Sequence, residues 1–80
     1  MRVRWLLYGF IPGLDAVEME VEADGLGAGF VRELLGAPID DPLYDSYPLE
    51  AVQREQVERF LNVNLAADLD WCIEAVRVGP

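Results

Sequence analysis

Arg2-Val3-Arg4-Trp5-Leu6-Leu7-Tyr8-Gly9-Phe10, then Ile11-Pro12-Gly13-Leu14, then Val17-Glu18-Met19-Glu20-Val21-Glu22-Ala23: this opening stretch decides the fold. The first part is rich in aromatic and branched side chains and reads as a β-strand. The last part alternates apolar and acidic residues strictly, as a half-buried strand does. Between them Pro12 fixes φ and Gly13 takes φ > 0, the central pair of a type II turn. The two strands therefore form an antiparallel hairpin. A two- or four-residue loop sets Leu6, Tyr8 and Phe10 on the core face with Val17, Met19 and Val21. Val3, Trp5 and Leu7 then share the opposite face with Glu18, Glu20 and Glu22. A three-residue loop would slip the register by one and send Trp5 and Leu7 into the core.

Working outward, Asp24 is a candidate N-cap, and Leu26, Phe30, Val31, Leu34 and Leu35 recur at helical spacing. Gly36 suits the left-handed position after a helix, and Pro38 stops continuation. Asp40 to Tyr47 has no period and reads as a surface loop. Pro48 suits the first turn of a second helix, with Leu49, Val52, Val57, Phe60 and Leu61 on one side. Glu50–Arg54 and Glu55–Arg59 are i,i+4 pairs on the other side. Val63 to Ala66 reads as a short strand, Ala67 to Leu69 as a turn, and Asp70 to Val78 as a last strand. Trp71, Ile73 and Ala75 of that strand face the core, and Cys72, Glu74 and Val76 the open side. The order β-β-α-α-β-β predicts an α+β fold: a four-stranded antiparallel sheet with two helices on one face, residues 1–80 forming a single domain.

The side-chain inventory narrows the chemistry. The chain has no histidine, lysine or threonine, one serine and one cysteine, fifteen acidic residues and six arginines, for a net charge of -9. Ser46 has no basic partner to activate it. Acids flank Cys72 two residues away on either side, the wrong setting for a reactive thiolate. Asp40, Asp41 and Asp45 lack the alternating spacing of a calcium loop, and a two-carboxylate hydrolase would need a cleft that a domain of this size hardly has. These readings predict a non-enzyme with no metal or cofactor. The acidity disfavours nucleic acid and anionic membrane and favours a basic protein partner. The lone cysteine fits a reducing, cytoplasmic compartment, and no apolar run reaches the ~18 residues of a membrane span.

An open sheet face with an aromatic among carboxylates is how a recognition surface is built. The predicted partner-binding residues are Trp5, Glu18, Glu20, Glu22 and Glu74. The loop residues Asp40, Asp41, Tyr44, Asp45 and Tyr47 are a second candidate surface, with packing of the tyrosines over the helices as the alternative. A small assembly module is the competing role. Apposing four glutamates with four more at a two-fold axis is costly, so the free chain is expected to be a monomer or weak dimer.

Glu33-Leu34-Leu35-Gly36-Ala37-Pro38-Ile39-Asp40-Asp41 resembles a helix end of the cloacin-type immunity proteins. Glu58-Arg59-Phe60-Leu61-Asn62, followed by Leu65, Asp68, Trp71 and Ile73, is similar to their later helix end and final hairpin. The aromatic first strand (Trp5, Tyr8, Phe10) and the acidic second strand also fit. The Asp40–Tyr47 segment departs from that family and looks like one found in small acidic bacterial proteins of similar length. The resemblance implies a sheet with an open face, helices behind it, and an immunity role: neutralising a ribonuclease bacteriocin, a basic nuclease toxin, by blocking its substrate site. It carries over no contact residue.

Overall fold

The computed structural model describes residues 2–38, 43 and 45–78. Six elements follow in the order β1 (Arg2–Phe10), β2 (Val17–Glu22), α1 (Ala28–Leu35), β3 (Ser46–Pro48), α2 (Ala51–Leu61) and β4 (Asp70–Val78). The α+β class and the four-stranded antiparallel sheet stand as expected; the element order does not. It is β-β-α-β-α-β, and the strands lie side by side as β2-β1-β4-β3.

The third strand precedes the second helix. Ser46–Pro48, read from sequence as part of a loop and a helix start, pairs antiparallel with β4. Pro48 is tolerated because β3 is an edge strand. The expected strand at Val63–Ala66 is an irregular connection held by side chains. Asn62 takes the left-handed region at φ 56° and ψ 48° and ends α2. The Val63 N–H donates to the Glu58 carbonyl (3.1 Å) and the Leu65 N–H to Glu58 Oε2 (2.8 Å). These bonds give the backbone polar groups the partners that a strand would have supplied.

Both helices end as their sequences dictate. Gly36 sits at φ 65° after α1, and the Gly36 and Ala37 N–H groups close onto the carbonyls of Glu33 and Arg32, the paired closure that favours glycine here. Asp24 is not the α1 cap, which falls at Gly27. Its carboxylate instead accepts from Arg4 Nε (3.2 Å) and Nη2 (3.1 Å). Glu50 and Gln53 form a capping box at the start of α2, the Glu50 N–H donating to Gln53 Oε1 at 2.8 Å. Gln53 Nε2 donates in turn to the Leu34 carbonyl (3.0 Å), tying α2 to the end of α1.

The first hairpin holds the main correction. The β-turn at Pro12-Gly13 forms, the Leu14 N–H donating to the Ile11 carbonyl with Gly13 at φ 85°, but the connection runs from Ile11 to Ala16, longer than the expected two- or four-residue loop. Yet Phe10 pairs with Val17 while Gly9 pairs with Met19. Glu18 is an extra residue, a β-bulge, and one extra residue exchanges the faces beyond it. Trp5 and Leu7 therefore point into the core, at 5% and 0% exposure, and Leu6, Tyr8 and Phe10 stand on the other side. The core joins Trp5, Leu7, Trp71 and Ile73 of the sheet to Val31 of α1 and Val57 of α2, with Ala23, Leu26, Leu43 and Leu65 around them. It also explains Gly9. A Cβ there would lie 3.0 Å from Leu69 Cδ1 and from two atoms of the Trp71 ring. The indole covers the bare backbone of its cross-strand partner, and its Nε1–H donates to the Ala66 carbonyl at 2.8 Å.

Candidate functional site

With the helices gathered behind Trp5 and Ile73, no described helix covers the opposite face of the sheet. The pairing aligns its side chains in rows across the strands. One row runs Glu22, Leu6, Glu74 and Ser46 through β2, β1, β4 and β3; the next runs Glu20, Tyr8, Cys72 and Pro48; Arg4 and Val76 pair in a third. Leu6, Tyr8, Cys72, Glu74 and Val76 are half-buried by their neighbours, while Glu20 and Glu22 are exposed.

The charges on this face are not equivalent. Arg4 contacts Glu22 at 2.7 Å and Asp24 at 3.1 Å, and its guanidinium is pushed further above its ordinary range, by the Asp24 hydrogen bond first and the Glu22 bond second. Glu22 thus has its counterion. Glu20 and Glu74 act on Tyr8 instead. Partial burial first, and then these two carboxylates, raise the Tyr8 hydroxyl above the ordinary tyrosine value. Tyr8 at the centre of the face thus lies near two carboxylates, Glu20 and Glu74, that pair with no guanidinium among the described residues, while Leu6 lies between Glu74 and the paired Glu22.

The sequence-predicted residues separate accordingly. Glu20, Glu22 and Glu74 share the open face as expected. Trp5 does not, because of the bulge, and Glu18 is the bulge residue and has no place in the rows. Tyr47 pairs with Ile73 and packs on the core, which is the alternative reading for it. Asp45 is exposed beside β3. Asp40, Asp41 and Tyr44 lie outside the described residues. Tyr8 and Leu6 were assigned to the core by the same register. Local alternation could not have found them, because β1 is apolar on both faces.

Beyond the face, Ile11, Leu14, Val17 and Met19 keep 38–56% of their surface exposed around the hairpin end. Among the described residues no group of three or more acidic or cysteine side chains could hold a metal. No helix among them is long and apolar enough to cross a membrane. Comparison with protein families, with characterised proteins and with solved structures returns no match.

Proposed function

We propose that this chain is a protein-binding module that works by occupying a basic partner rather than by turnover. The observation that carries the reading is the Tyr8 ring set between Glu20 and Glu74 on a sheet face that no described helix covers, in a chain of net charge -9. Tyrosine supplies rigid contact area and a face that attracts a lysine or arginine. The two carboxylates supply the complementary charge, which raises the encounter rate and rejects acidic partners. The resemblance to immunity proteins makes the occupant a nuclease toxin, whose phosphate-binding surface is basic and would meet carboxylates in place of phosphates. Inhibition would follow from excluding RNA.

The test is titration of the chain against a bacteriocin ribonuclease domain from the organism that encodes it, following RNA cleavage and association rate. Cleavage should fall to zero near equimolar chain. The association rate should drop at least about tenfold between low and high salt, as screening shortens to ~8 Å and below. Glu20→Arg and Glu74→Arg should weaken association while leaving the unfolding midpoint nearly unchanged. Association indifferent to salt and to both substitutions would remove the open face from the reading. Hydrolytic turnover by the chain alone, abolished by one carboxylate-to-amide change, would overturn it.

A further inference from the structure

The sheet has two edges, and they are built differently. β3 is three residues long and ends in Pro48, a short edge with a donor removed, which is how an edge is kept from pairing. β2, the other edge, is six residues long and holds no proline. Among the described residues no strand pairs with its outer side. All of its side chains are exposed except Val21, which is half-buried.

The ladder with β1 decides which backbone groups are on offer. The Ala23 N–H donates to the Trp5 carbonyl at 2.8 Å, and bonded and non-bonded residue pairs alternate along an antiparallel ladder. Leu7–Val21 is therefore a bonded pair, and Leu6–Glu22 and Tyr8–Glu20 are non-bonded. The N–H and C=O of Glu20 and Glu22 point away from β1, along the free edge. Side chains of a strand added there fall into two environments. On the open face they meet Glu20 and Glu22; Glu22 has Arg4 as counterion, and Glu20 has none among the described residues. On the core side they lie next to Met19, which is 42% exposed. Met19 shares a groove of about 470 Å³ with Leu65 and Ala66 of the connection after α2. Arg54, Glu55 and Glu58 also line that groove and leave its charge balance negative.

We infer that β2 receives an extended segment of the basic partner as a further strand of the sheet, a segment in which lysine or arginine alternates with apolar residues. The backbone groups of Glu20 and Glu22 supply the main-chain bonds. Basic side chains face the two carboxylates, and apolar ones cover Met19 and the groove. A second copy of this chain does not fit, because β2 against β2 sets glutamate opposite glutamate. The inference rests on the proposed binding of a basic partner and names the part of that partner that docks.

The test is chemical-shift mapping and amide hydrogen exchange on the isotope-labelled chain, with acetyl-Arg-Val-Lys-Leu-Arg-Val-Lys-amide at up to ~1 mM as the probe. The Glu20 and Glu22 amide protons should shift saturably and exchange at least about tenfold more slowly in the complex. Two N-methylated forms of the peptide, one methylated at its basic residues and one at its apolar residues, separate strand pairing from plain charge attraction. The form whose methyls face β2 should bind at least about tenfold more weakly, and the other should bind as the parent does. Glu20→Gln removes the charge and keeps the edge N–H, and should weaken the peptide about two- to fivefold. Glu20→Pro removes that N–H without touching a bond to β1, and should weaken it at least about tenfold. The methylated peptides give the answer even if the proline variant fails to fold. No saturable shift along β2, or equal affinity of the two methylated forms, would overturn the inference. In the ribonuclease titration, loss of association on Glu74→Arg with equal affinity of Glu20→Pro and Glu20→Gln would also overturn it while leaving the open-face reading standing. Protection of Glu20 and Glu22 by the peptide, with no association of the ribonuclease, would uphold the edge and remove the nuclease as its occupant.

Discussion

The two faces of this sheet are made by the same strands and do opposite work. On one, Trp5, Leu7, Trp71 and Ile73 keep 5%, 0%, 3% and 0% of their surface and meet Val31 and Val57 of the helices. On the other, Leu6, Tyr8 and Glu74 are half-buried, with no described helix packed over them. Burial free energy scales with the apolar area removed from water, so most of what holds the fold lies behind the sheet. The open face is left nearly free to carry charge. Exchange of its exposed glutamates should leave the chain folded, whereas the core in so short a domain has little to spare.

The largest effect that could break this comparison is at Trp5. Trp5→Ala should destabilise by about 3–5 kcal/mol, the range for removing a buried aromatic, against a total of roughly 5–15 kcal/mol for a domain. Glu20→Gln on the open face should stay within about 0.5 kcal/mol. Urea unfolding of both variants decides the matter. Comparable losses at the two positions would mean that the faces do not divide stability from surface chemistry.

Next in size is Gly9, where the core face comes closest to backbone. Gly9→Ala should cost about 1–3 kcal/mol, because the new methyl overpacks against Leu69 and the Trp71 ring at 3.0 Å. Leu69→Ala in the same chain should return part of that loss, giving a favourable coupling in a double-mutant cycle. Strict additivity would show that Leu69 does not close over Gly9.

Much of the fold could be read from local chemistry, and the failures have definite causes. β4 assigns its own faces, because Trp71, Ile73 and Ala75 alternate with Cys72 and Glu74. Gly36 and Gly13 announce their positive φ. β1 carries apolar residues on both sides, so its orientation depends wholly on its pairing with β2. One bulge at Glu18 overrides a correctly read turn, and no side chain of Glu18 advertises it. β3 is three residues long, too short for any period, and is created by β4 offering an edge. The Val63–Ala66 segment looks like a strand in pattern, but Glu58, seven residues before Leu65, fixes it otherwise. For the candidate site, the three strand glutamates were legible and the aromatic among them was not, for the same reason of register. The Glu50–Arg54 pair promised by i,i+4 spacing does not form among the described residues, because the helix cap takes Glu50.

The smallest expected effect sharpens the comparison at Tyr8, through proton linkage. Its folded-state pKa is raised above the ordinary value of about 10 by partial burial, and further by Glu20 and Glu74. Between the unfolded and folded values the folded chain holds a proton that the unfolded chain has released. Stability contributed by this group is therefore intact below pH ~10 and declines as pH rises above it. Tyr8→Phe should remove that part of the alkaline decline while leaving stability at neutral pH little changed, since the ring remains. Glu20→Gln should bring the Tyr8 titration back toward the ordinary value by removing one of the two carboxylates. Ultraviolet absorbance titration of tyrosinate, with Tyr8→Phe as the reference that assigns the signal, reads both. A Tyr8 transition at the ordinary value, unmoved by Glu20→Gln, would place the ring away from these carboxylates. The open face would then lose the uncompensated charge around its aromatic that distinguishes it from an ordinary wet sheet surface.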